Sequence, residues 1–445
     1  MNEWKKVKIG DFLTEREGRY KPNDKDISTY QRLDKIDFSG NIHISNKPTK
    51  TDMIIVFPGD LVISGINVAK GAISVYQGKE PVCATIHYSS YTFDDKKVDL
   101  DYFKYFVKSP AFIFALQQQV KGGIKTEIKP KHLLPLEISL PDLSTQKEIV
   151  KVLSKKIEKV ELIKSEIESQ KSYVKHLRQN ILQEAIEGKL TEEWRKENPV
   201  VKGNPDFDAE ALFEKIQVEK CQLLKNKFRS TNNIQEKIEN DFIFDIPNSW
   251  KFVKLSELGI LERGKSKHRP RNDVSLFENG KYPFVQTGDV SQSKNYGYEI
   301  QPVTKFYNDF GLSQSKLWKA GTLCITIAAN IAETGFLTYD ACFPDSVVGF
   351  TPFIEKSFSI FVRYYIDSIK QLLEKYAPAT AQKNINLGIL ETLKIPLPPL
   401  SEQKEIVSRV EKFLANVTEL EEQIIEREEM TKQLMQSIMK DAFGA

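Results

Sequence analysis

The stretch LEISLPDLSTQKEIV, Leu136–Val150, recurs as LKIPLPPLSEQKEIV, Leu393–Val407, with 11 of 15 positions identical at an offset of 257. A match of this length inside one chain marks a duplicated unit. Weaker blocks repeat in the same order: WKKVKIGDF from Trp4 with WKFVKLSEL from Trp250, PGDLVIS from Pro58 with AGTLCIT from Ala320, and YFKYFVKS from Tyr102 with FVRYYIDS from Phe361. Their offsets of 246, 262 and 259 drift while the order holds, as expected of one framework carrying loops of different length. The chain reads as a globular unit, a helix, a second globular unit and a second helix.

Each copy of the repeated stretch opens a helix. After Ser144 and after Ser401, both placed to cap an N-terminus, no proline or glycine occurs until Gly188 and Gly444, and charged helix formers dominate. A run of about 42 residues gives ~63 Å of helix at 1.5 Å per residue. Within the first run a 3,4 stripe passes through Val160, Ile163, Ile167, Gln170, Val174, Leu177 and Ile181. The same offset of 257 places Val417, Leu420, Ile424, Arg427, Thr431, Leu434 and Ile438 on the second. A seam this narrow cannot bury a long helix on a small domain, so the two helices are predicted to form a coiled coil with each other. Gln170 and Arg427, polar at one matched level, read as register-setting positions. Two similar units related by a two-fold axis require the helices to run antiparallel, which would set the globular units at opposite ends.

The expected fold class is therefore α/β (α+β), with a pseudo-two-fold internal repeat and two globular domains separated by an antiparallel coiled coil of two long helices. The expected boundaries are a first domain over 1–141, a long helix in 142–199, a helical linker over 200–245, a second domain over 246–398 and a C-terminal long helix in 399–445. With 445 residues, 40% apolar and 10% aromatic, there is material for real cores. The net charge of +3 is spread thinly: residues 1–141 carry 21 basic and 17 acidic side chains, and 241–398 carry 18 and 16. Nucleic-acid binding must then rely on local patches. Cys83, Cys221, Cys324 and Cys342 lack CxxC spacing and the five histidines are scattered, so the cysteines read as buried free thiols and no metal site is signalled. No apolar signal core or membrane-length run is present, which points to the cytoplasm and away from membranes.

GILERGKSKHRPR, Gly259–Arg271, matches the spacing of a phosphate-cradling loop. Such a loop needs a helix directly after the Lys-Ser pair. Pro270 stops any helix here within a turn, and the first copy, FLTEREGRYKP, has no GK[ST] at all. What the two stretches share is cationic charge among turn formers: Arg16, Arg19 and Lys21 in one, Lys265, Lys267, His268, Arg269 and Arg271 in the other. That chemistry suits DNA phosphates and guanine edges. A second candidate element follows the repeated aromatic helices: VKGGIKTEIK brings Lys121, Lys125 and Thr126, and APATAQKNIN brings Gln382, Lys383 and Asn384. Gln and Asn can read adenine bidentately, and Lys can reach phosphate or guanine. The Tyr and Phe of the preceding helices recur at helical spacing and read as core. No methyltransferase, dinucleotide, HExxH or GxSxG signature is found.

The doubled LPxLSxQKEIV, the GKLTEEWR from Gly188, PNSWKFVKL from Pro247 and ACFPDSVVGFTP from Ala341 together resemble the specificity subunits of type I restriction-modification enzymes. The resemblance runs in order over nearly the whole chain. It implies two target recognition domains, each reading half of a split sequence in double-stranded DNA, with the helices setting the unread gap. It also implies a chain without catalytic residues or cofactor, partnered by two modification (methyltransferase) subunits and two restriction subunits. S-adenosylmethionine, ATP and Mg would belong to those partners. The competing expectation from the residues alone is a coiled-coil scaffold with two ligand-binding modules not directed at DNA.

Overall fold

The computed structural model describes residues 4–45, 47–67, 72–119, 129–224, 244–355, 357–376 and 384–443. It resolves into two compact units, Met1–Lys171 with Gln423–Ala445, and Ser172–Glu422. In the first, the strand Lys5–Lys8 pairs antiparallel with Glu137–Leu140. Ile138 and Leu140 are buried while Glu137 and Ser139 face out, the two-residue alternation of a half-buried strand. A four-stranded sheet follows in the order Leu13–Glu15, Tyr88–Phe93, Leu61–Ser64, Ile73–Val75. A second sheet orders Ile42–Ser45, Arg32–Ile36, Val82–Thr85 and Met53–Val56.

The second unit repeats this frame. Lys251–Lys254 pairs with Lys394–Leu397, and a five-stranded sheet orders Gly259–Arg263, Val347–Pro352, Leu323–Thr326, Thr334–Leu337 and Glu299–Ile300. Its first four strands keep the order of their counterparts in the first domain. The repeated LVIS and LCIT blocks form inner strands with every residue buried, so they read as continuous apolar runs rather than alternating ones. The aromatic helices are core as expected: Tyr102, Phe103, Phe361 and Tyr365 have no exposed surface.

The long helices span Leu143–Ile186 and Leu400–Phe443, 44 residues each. Neither starts on the serine that the sequence suggested. Asp142 caps the first, its carboxylate accepting the Thr145 amide at 2.8 Å. In the second, the amides of Leu400 and Ser401 donate to the carbonyls of Pro205 and Asp206, so the linker supplies the cap from its backbone.

Pairing is antiparallel in both units. In the first, Arg427 donates to Gln170 Oε1 at 2.8 Å and Lys171 bonds Glu428 at 2.9 Å, so the predicted polar level forms. In the second, Arg178 bonds Glu421 at 3.1 Å. The seam is narrower than predicted. Gln146, Leu153, Val160, Ile167, Val174 and Ile181 are buried at every seventh residue, and Gln403, Val410, Val417, Ile424, Thr431 and Ile438 match them. Ile163 is half-buried, whereas Leu177, Leu420 and Leu434 are 42%, 42% and 44% exposed. The second heptad position, which a two-stranded coiled coil ordinarily buries, is here half-buried, with Lys171 and Arg178 paired across it to Glu428 and Glu421. The C-terminal end of the second helix joins the first domain's core, with the Phe443 ring 5.4 Å from Tyr102 and 5.6 Å from Phe106. Cys221, on the linker helix Ala209–Leu224, is exposed, unlike the other three cysteines, because that helix buries only one face.

The GKLTEEWR segment builds a buried junction in the second unit. Gly188 ends the first long helix at φ 75°, and a Cβ there would lie 2.6 Å from Pro247 Cγ, so only glycine fits. Beyond it Thr191 and Arg195 turn back onto Glu402, which is 1% exposed. Glu402 accepts from Thr191 Oγ1 at 2.7 Å, from Trp250 Nε1 at 2.7 Å and from the Arg195 guanidinium. Three separate chain segments thus meet on one carboxylate. Replacing Glu402 by Ala strands three donors in a dry site and is expected to cost about 3 kcal/mol. A urea midpoint equal to wild type would show that this junction does not hold the unit together.

Candidate nucleic-acid interface

Strand direction gathers the candidate loops at one sheet edge. In the second domain Arg263 lies opposite Val348, Thr326 opposite Val347, and Ile325 opposite Thr334. The end of Gly259–Arg263, the start of Val347–Pro352 and the turn between Leu323–Thr326 and Thr334–Leu337 therefore share that edge. Asn384 joins them through a bridge to Ala328, with the Ile385 amide donating to Ile327 at 2.9 Å.

The basic loop is stitched down by its backbone. Lys265 N donates to Phe343, Lys267 N donates to Gln314, and Ser315 Oγ donates to the Lys265 carbonyl. No helix follows Ser266; the next helical turn is Val274–Leu276, so a phosphate-cradling loop does not form. Its cations divide into two groups. His268 bonds Asp273 at 2.8 Å, and together with the Ser275 amide it draws that carboxyl down to about 2. Arg269 Nη1 donates to the carbonyls of Ser266 and His268, and Arg271 pairs with Asp345 at 2.7 Å. Lys265 and Lys267 stand exposed, without an ion-pair partner among the described residues.

In the first domain the same edge forms a cleft of about 570 Å³ lined by Arg16, Gly18, Arg19, Gly65, His87 and Lys129 among others. Here Arg16 is structural. Its guanidinium grips buried Asp60 at 2.5 and 3.0 Å and lies 4.4 Å from the Phe57 ring. Asp60 also accepts from Ser90 Oγ and the Phe57 amide, so the pair ties adjacent strands together. Lys21 bonds Asp52 at 3.1 Å, an exposed and weak pair. Arg19 is exposed at the cleft, beside Glu15, whose carboxyl burial pushes up and Arg19 pulls back only in part. Lys121, Lys125, Thr126, Gln382 and Lys383 lie outside the described residues; Lys129 and Asn384, which border them, sit on this edge in their respective domains.

One element of the edge was missed in the sequence. The turn Ile327–Glu333 holds two alanines in the left-handed region, Ala329 at φ 65° and Ala332 at φ 57°. Each costs about 1–3 kcal/mol and persists only where the surroundings over-determine it. Buried Thr326 does so: its hydroxyl accepts the Glu333 amide at 2.9 Å and donates to the Asn330 carbonyl, and its own carbonyl accepts the Ala332 amide at 2.8 Å. Glu333 pairs with Lys370 at 2.5 Å, and Thr334 Oγ1 donates to Asp367 at 2.9 Å. Asp367 in turn holds Arg363 at 3.0 Å, whose guanidinium lies 3.7 Å from the Tyr298 ring and 4.3 Å from the Tyr364 ring. Burial pushes the Asp367 carboxyl above its ordinary range and the Arg363 charge opposes this. A signal existed: NIA at Asn330 and NVA at Asn67 follow the repeated LCIT and LVIS blocks in both copies.

Asp367→Asn would leave the Arg363 guanidinium buried without a counter-charge, for an expected loss of about 3 kcal/mol. Hydrogen exchange should then speed at the Ala332 and Glu333 amides ahead of the sheet core. Unchanged exchange at those amides would detach the pair from the turn.

The profile of the type I restriction modification DNA specificity domain matches residues 1–170 and 247–429. The EcoDI type I restriction enzyme specificity subunit of Escherichia coli is 25% identical over 327 residues, 73% of this chain and 65% of that protein, just under two thirds of its length. The putative MjaX specificity subunit of Methanocaldococcus jannaschii is 23% identical over 388 residues, 86% of this chain and 77% of its own. A chain from a solved structure of a type I R-M system, described for its complex assembly and conformational transition, superposes with a TM-score of 0.61 at 18% identity, covering 100% of this chain and 98% of that one, and shares the fold. Among the described residues, no helix is long and apolar enough to cross a membrane.

Proposed function

The chain belongs to the type I restriction-modification DNA specificity family, and from that premise we propose that each of its two domains reads one half of a split DNA sequence through the same sheet edge. One observation carries this reading: both domains bring a basic segment, a hairpin turn and a third segment to corresponding ends of a shared strand order. In the second domain the exposed Lys265 and Lys267 contact phosphates, and in the first Arg19 and Lys129 do so, while Arg16 and Arg271 hold the surfaces in shape. The paired helices set the unread gap and dock two methyltransferase subunits, with two restriction subunits as further partners. S-adenosylmethionine, ATP and Mg act in those subunits, and this chain contributes recognition without catalysis.

Phosphate contacts release counterions, so affinity should fall steeply with salt, and each lost contact should lower the log–log slope by about 0.9. Lys265→Ala and Lys267→Ala in the assembled methyltransferase complex are expected to lower that slope singly and additively while leaving base preference alone. Affinity indifferent to salt would favour a scaffold whose modules bind something other than DNA. Exchanging residues 1–135 for those of a relative should change one half of the methylated target and spare the other. Both halves changing together would rule out independent readers.

A further inference from the structure

The strained turn of the second domain ends in a side chain that the roles above leave unused. Asn330 is exposed at the tip, between the left-handed Ala329 and buried Ile331. Its Nδ2 donates to Ser291 Oγ at 3.1 Å, and Ser291 Oγ donates in turn to the Thr287 carbonyl at 2.9 Å. This relay fixes which way the carboxamide faces. One amide hydrogen is used, leaving one donor and the carbonyl acceptor side by side. A donor beside an acceptor, held rigid and turned outward, is the complement of the adenine N7 and N6 edge in the major groove. The backbone beneath cannot yield, because Thr326, Glu333 and Thr334 are tied to buried partners. Asn384, also exposed on this edge, borders the same turn through Ala328.

Resting on the DNA reading proposed above, we propose that Asn330 is a specificity-determining residue that reads an adenine in the half-site of the second domain, and that Asn67 holds the equivalent place in the first. The duplication supports the assignment: Asn67 occupies the corresponding turn after Leu61–Ser64, where its carbonyl accepts the Ala72 amide at 3.2 Å. An asparagine kept at one turn of two domains that otherwise differ in their loops fits a shared task better than local folding. The second domain could satisfy the same backbone with any residue, since it is the Asn330 carbonyl that Thr326 bonds.

The test uses the full chain assembled with its methyltransferase subunits and duplexes randomised across both half-sites. Asn330→Ala should reduce the preference for adenine at one position of one half-site by about 10- to 100-fold, with the other half unchanged. Asn330→Asp, which offers only acceptors, should move the preference at that position toward cytosine. The aspartate variant keeps the side chain's size and decides the matter if the alanine variant melts early. Variants that select the same bases as wild type would remove Asn330 from recognition while leaving the DNA reading intact. A wild-type complex that selects no sequence would instead sink the reading on which this assignment rests.

Discussion

A 44-residue helix that, between its ends, seals only one residue in seven has too little apolar surface to stand by itself or to be held by a small domain. This constraint organises the molecule. Each long helix must lie along the other, and the antiparallel sense lets each helix end find the core of a domain it did not come from in sequence. Phe443 fills the space beside Tyr102 and Phe106, and Ile181, Leu182, Ala185 and Ile186 are buried at the end of the first helix. The polar level of Gln170 and Arg427 then resists sliding, because a shift of one turn would break the hydrogen bond between them.

The junction at Glu402 makes this arrangement specific. A carboxylate 1% exposed is tolerable only with its lone pairs filled, and Thr191 and Arg195 from one segment and Trp250 from another fill them. The corresponding residue of the first copy is Thr145, so the two halves are alike in frame but not in how the helix start is secured. The same divergence recurs in the sheets, where Asp60 anchors Arg16 in one domain and Thr322 stands in the equivalent block of the other.

Much of the frame was legible in the sequence because duplication turns weak signals into paired ones. The inner strands LVIS and LCIT, the aromatic helices and the helix seam each occur twice in order, and each pair folds alike. What escaped was local and depended on partners distant in sequence. Ser144 and Ser401 resemble caps, but Asp142 lies better placed for one helix and the linker carbonyls reach the other. Leu177, Leu420 and Leu434 fit the 3,4 stripe, yet nothing in a stripe says how many helices will cover it. For the basic loops, charge was visible but its disposition was not. Arg16 and Arg271 are spent on Asp60 and Asp345, each just ahead of another strand, and Arg269 on the carbonyls of its own loop. The turn at Asn330 gave only a three-residue echo, since its left-handed alanines carry no compositional mark.

Each domain is closed by its own first and last strands, Lys5–Lys8 against Glu137–Leu140 and Lys251–Lys254 against Lys394–Leu397. The chain therefore enters and leaves each domain through one clasp, with its ends side by side. Loops between the two strands of a clasp can therefore differ in length, as the drifting offsets of 246, 262 and 259 record, while the helix that follows still leaves from the same point.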